Sequence, residues 1–111
     1  MIHVEIVRAA DGSIKGFSCE GHAGAAAKGK DVICAAVSMM VINTVNSIEA
    51  FLPEDLKKMT VESDGAKGRI SCGFSELPSK EAGLLLNSMY LGLKTIEEDH
   101  KGEYIHITER R

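Results

Sequence analysis

The chain has 111 residues, of which 44% are hydrophobic and 26% charged, with a formal net charge of −3. That length supports one domain, residues 1–111, around one core, and Lys and Arg scattered singly or in pairs exclude the basic stripe that phosphate-backbone binding needs. Three cysteines, an odd count, with no secretory leader lead us to expect a reducing, cytoplasmic setting rather than a disulfide scaffold. The longest apolar run, Val32 to Ile42, is broken by Ser38 and followed by Asn43, Thr44 and Asn46, so it is expected to be a buried helix too short to cross a membrane.

Ile2, Val4 and Ile6 alternate with His3 and Glu5, and Ala10-Asp11-Gly12-Ser13 supplies turn residues before a second strand from Ile14 to Glu20. Period-two alternation puts Phe17 and Cys19 on one face of that strand, toward the core. From Gly21 to Lys30 the chain carries three glycines, three consecutive alanines and little bulk, and reads as a mobile loop. Asp31 is the expected N-cap of a helix that runs from Val32 to Leu52 and stops at Pro53.

A second hairpin is expected from Lys57 to Ser63 and Gly68 to Phe74 around Asp64-Gly65-Ala66-Lys67, with Ile70, Cys72 and Phe74 on one face. Leu85, Met89, Leu93 and Ile96 recur at helical spacing between Ser79 and Asp99, and Tyr104 to Thr108 forms a last strand. The order ββαββαβ predicts an α+β two-layer sandwich, a mainly antiparallel sheet with two helices on one face. The first helix is apolar nearly all round in its first three turns, more surface than one sheet face covers, which predicts a homodimer.

The residues able to do chemistry gather around that helix start. Cys34 would fall in the first helical turn, where unpaired N–H groups and the positive dipole end favour a thiolate and can receive an oxyanion. His22, flanked by Gly21 and Gly24, can turn toward the same helix start and act as general base and then acid to the thiol. Asp31, Cys34 and Ser38 lie at i, i+3 and i+7 on one helix face, and Asp31 either caps the helix or orients His22.

Plainer readings stand beside this one. A cysteine early in a buried helix is often a small core residue, a histidine beside glycine often a turn residue, and Ser38 can bond a carbonyl one turn back. Cys19, His22, Cys34 and Cys72 have the content of a zinc site, but Cys19 and Cys72 sit in phase with apolar strand faces, so no metal or other cofactor is expected. His3, His100 and His106 read as solvated surface. Met39, Met40 and Phe17 are candidates for an apolar pocket beside Cys34.

Gly21-His22-Ala23 followed by Gly29-Lys30-Asp31-Val32-Ile33-Cys34-Ala35-Ala36-Val37-Ser38 closely resembles the signature of the ribosomal-processing cysteine proteases, the Prp family. The resemblance spans the whole chain. It implies a cytoplasmic endopeptidase of Firmicutes and related bacteria that removes the N-terminal extension of the large-subunit ribosomal protein numbered twenty-seven. It implies His22 and Cys34 as the catalytic pair, with Gly21, Asp31 and Ser38 at supporting positions. It implies that Ala23, Gly24, Ala25, Ala26, Ala27, Lys28, Gly29 and Lys30 form a flexible segment ordering around the substrate, and that the protein is a homodimer; the charge pattern and the short apolar run already lead us to expect no direct nucleic-acid or membrane contact. The alternative from another class is a non-catalytic ribosome-associated binding module in which Cys34 and His22 only pack or cap.

Overall fold

The computed structural model describes residues 1–21, 28–66 and 68–111, with 28–31 through their backbone alone. Strand β1 spans Ile2–Arg8 and β2 spans Ile14–Glu20. Gly12 supplies the turn between them with φ +90°, and the Asp11 carboxylate accepts hydrogen bonds from the Ser13 N–H (2.9 Å) and hydroxyl (2.6 Å). Helix α1 runs Lys28–Phe51, a four-residue helix α2 covers Pro53–Leu56, and the hairpin β3 (Met59–Asp64) and β4 (Arg69–Phe74) follows. Helix α3 (Lys80–Asp99) and strand β5 (Ile105–Arg110) complete the chain.

The sheet order is β3-β4-β2-β1-β5. All neighbours are antiparallel except β1 and β5, which are parallel; α3 carries the chain from β4 across the sheet to β5, beyond β1. In-register pairs such as Val4 with Cys19 and Phe17 with Cys72 place the strands' apolar side chains on one face. Against that face pack Ile33, Val37, Val41, Val45 and Ile48 of α1 and Leu86, Met89 and Leu93 of α3. Each such aliphatic side chain, fully buried, contributes about 1.5–3 kcal/mol. The two-layer α+β sandwich expected from the sequence is therefore the observed architecture, with α2 as the addition.

Three local differences have plain causes. Pro53 does end α1, but its fixed φ also suits the first turn of a helix, so α2 starts there. Helix α1 begins at Lys28, so Lys28, Gly29 and Lys30 are helical rather than loop, and Asp31 lies inside the first turn rather than at the N-cap. The apolar stretch Val32–Phe51 is not too short to span a bilayer, having 20 residues at mean hydropathy 1.5. Its role as a core helix follows instead from the buried stripe it lays on the sheet.

The helices are held to each other at two places. Gly92 of α3 lacks the Cβ that would overlap the Met40 sulfur of α1, so the two helices approach closely there. At the other end Ser79 caps α3 by accepting the Ala82 N–H at 3.1 Å, and is itself held by Asp55 of α2.

Candidate active site

Strand β2 ends at Glu20, and Gly21 turns the chain away with φ +113°. Any Cβ at position 21 would stand 2.5 Å from the Met1 carbonyl oxygen, so both conformation and space require glycine. Gly21 then lines a cleft of about 290 Å³ together with Cys34 and Ser38. Cys34 and Ser38 reach it from the same side of α1, one turn apart, as their i, i+4 spacing dictates. Three of the residues singled out in the sequence thus converge.

The rest of the cleft is built from elements distant in sequence. Ile2, Cys19, Val37, Val41, Ile42 and Ile70 give it an apolar lining, and Ser63, Asp64, Gly65, Gly68 and Arg69 at the β3–β4 turn complete it. Nothing in the hairpin's own sequence marks it as part of a site; only the strand order brings it beside α1. The apolar residues suggested from sequence are elsewhere. Phe17 is buried in the core, Met40 packs against Gly92, and Met39 points to solvent at 63% exposure. Larger hollows on the open sheet face (about 420 Å³) and beside the start of α3 (about 580 Å³) contain neither Cys34 nor Gly21.

The three thiols differ in environment. Cys19 and Cys72 are buried, and loss of water pushes each up to about 11, with the nearby charge of Cys34 adding to the effect on Cys19 and that of Glu49 on Cys72. Both stay protonated and inert near neutral pH. Cys34 is half-buried and opens on the cleft. Because α1 starts at Lys28, Cys34 is its seventh residue, and its N–H belongs to the intrahelical ladder rather than to the unpaired first turn. The expectation that first-turn donors around Cys34 receive an oxyanion fails for that reason, and the helix dipole acts on it only weakly.

His22 and Ala23 to Ala27 lie outside the described residues, as does the Asp31 side chain. Among the described residues no group of three or more His, Cys, Asp or Glu side chains is arranged to hold a metal ion.

A half-buried thiol in an apolar cleft is compatible with thiol catalysis or thiol binding. The family model described as Cysteine protease Prp matches residues 1–106. The chain belongs to the Prp family of cysteine proteases. A ribosomal processing cysteine protease Prp of Bacillus subtilis is 34% identical over 108 residues, covering 91% of each chain. The Prp of Staphylococcus aureus strain NCTC 8325 is 29% identical over 100 residues, covering 90% of this chain and 92% of that one.

A crystal structure of the S. aureus Prp in complex with a covalently linked product peptide superposes with a TM-score of 0.85 at 28% identity, covering 98% of this chain and 99% of that one. The same protease in complex with a substrate peptide gives a TM-score of 0.83 at 27% identity, again covering 98% and 99%. Prp membership makes the chain an enzyme, a cysteine protease, and places its thiol chemistry in a family that handles peptides.

Proposed function

We propose that this Prp protease removes the N-terminal extension of the large-subunit ribosomal protein numbered twenty-seven, with Cys34 as nucleophile and His22 as general base and acid. The observation that carries the reading is the convergence of Cys34, Ser38 and Gly21 on one apolar cleft, since His22 is the residue next in sequence to Gly21.

His22 takes the Cys34 proton, the thiolate attacks the scissile carbonyl, and the resulting tetrahedral species expels the amine as His22 returns the proton to it. Water then attacks the thioester with His22 as base, releasing the acid and restoring the thiol. The aliphatic lining beside Cys34 accepts a large apolar side chain next to the cut bond and excludes water from the thioester. Asp31, in the first turn of α1, and Ser38, one turn beyond Cys34, are supporting positions of the site.

The protein acts in the cytoplasm as a homodimer, without direct nucleic-acid or membrane contact. Val32, Met39 and Ile42 form an exposed apolar stripe on α1, at 68%, 63% and 46% exposure, which a second copy covers. The test is incubation with a peptide spanning the extension junction, read by mass spectrometry, beside a control peptide with the apolar residues before the junction replaced. One discrete cut in the first peptide and none in the control supports the assignment. An intact first peptide under reducing conditions contradicts it.

A further inference from the structure

The two edges of the sheet are finished differently. On β5, the Glu97 carboxylate accepts the outward Ile107 N–H at 2.6 Å, and the neighbouring Glu109 is tied to Arg8 (2.6 Å) and Tyr90 (2.9 Å). On β3, the inner side pairs with β4 in unbroken register from Met59 to Asp64. Among the described residues, nothing bonds the outward N–H and C=O groups of Met59 to Ser63.

Open edges are normally guarded by charged side chains, proline or a bulge, and β3, with the sequence Met-Thr-Val-Glu-Ser-Asp, has no proline and no bulge and carries its two carboxylates, Glu62 and Asp64, in its C-terminal half. The C-terminal end of this open edge reaches the Cys34 cleft, because Ser63 and Asp64 line that cleft together with Cys34.

A peptide entering a cysteine protease must be extended so that its carbonyl is accessible, and its amides lose water as they dock. An open strand edge satisfies every second amide of such a peptide, leaving side chains to choose pockets. We propose that β3 is the docking strand for the substrate, which adds to the sheet as an extended segment and carries its reacting carbonyl past Ser63 and Asp64 into the Cys34 cleft. The proposal rests on the protease reading above and adds a recognition surface that extends beyond the cleft along β3. Strand β3 has six residues, so it offers about 20 Å of backbone for recognition, enough to make selectivity depend on several residues away from the cut bond.

The test uses Cys34→Ala protein, which cannot turn substrate over, and follows backbone amide exchange by NMR with and without the peptide spanning the extension junction. Binding should slow exchange of alternate β3 amides by at least about tenfold while β5 amides are unchanged. The proposal is overturned if the bound peptide shifts Gly68, Ile70 and Ile42 around the cleft but leaves β3 exchange as it was. It is also overturned if β3 is protected without peptide and loses that protection on dilution, since a second copy then occupies the edge. Absence of any binding overturns both this proposal and the substrate assignment. Binding with β3 protection, together with a peptide left uncut by unmodified protein, overturns the catalytic reading alone.

Discussion

The buried Asp55 carboxylate accepts two hydrogen bonds from Ser79, one from its N–H at 2.8 Å and one from its hydroxyl at 2.6 Å. Those contacts join the short helix after Pro53 to the first turn of α3, 24 residues further on. Burial alone would raise the Asp55 pKa, but the Ser79 bonds and the charge of Lys58 outweigh it and hold the carboxyl below its ordinary value. A depressed pKa contributes stability that is present above the unfolded value, about pH 4, and is lost as pH falls through the lower folded value. Asp55→Ala should cost about 2–4 kcal/mol at pH 7, and urea denaturation should show the difference from unmodified protein shrinking below pH 4.

Gly21 should tolerate no side chain. Gly21→Ala must place a Cβ against the Met1 carbonyl in a backbone region that L-residues avoid, at a cost of about 1–3 kcal/mol. Because the next residue is His22, cleavage of the extension peptide should fall further than thermal stability does. The comparison is a steady-state kcat/KM beside a melting curve; equal activity in a folded Gly21→Ala protein would show that the turn does not position the base.

Thiol alkylation should read the three environments directly. With Cys19 and Cys72 pushed up to about 11, only about one thiol in a thousand of either is ionised at pH 8, and both are buried. Iodoacetamide at that pH should modify Cys34 alone in native protein and all three cysteines in denaturant, as judged by peptide mapping. Early labelling of Cys19 would mean that the cleft opens deeper than its lining indicates.

Gly92 makes room for the Met40 side chain across the α1–α3 contact. A branched side chain in Gly92→Val forces the flexible Met40 side chain to move and should destabilise by about 1 kcal/mol, with partial recovery in the Met40→Ala double variant. Chemical denaturation of the four proteins gives the coupling energy.

Much of this was legible in the residues themselves. Alternation in Ile2, Val4 and Ile6 and in Phe17 and Cys19, and helical spacing in Leu93 and Met89, are local patterns with local causes, and each element they imply is present. What failed to show was either through-space or degenerate. Asp31 has the chemistry of an N-cap, yet the helical backbone extends back through the glycine-containing stretch to Lys28, moving Cys34 out of the first turn. Pro53 is as good a helix start as a stop, so α2 was hidden. The β3–β4 turn reaches the site only because β4 pairs with β2, and no periodicity records that pairing. Met39 and Met40 are apolar residues near Cys34 in sequence and Phe17 shares a strand with Cys19, whereas the cleft takes Ile42 from one turn beyond Met39 and Ile70 from another strand.

The attack by Cys34 is tested most directly by the cleavage rate of the extension peptide with Cys34→Ala protein, after circular dichroism has confirmed that the variant is folded. A loss of about four orders of magnitude or more in kcat, with peptide binding retained, is the expected result. Cleavage within tenfold of the unmodified rate would contradict the account and require another nucleophile.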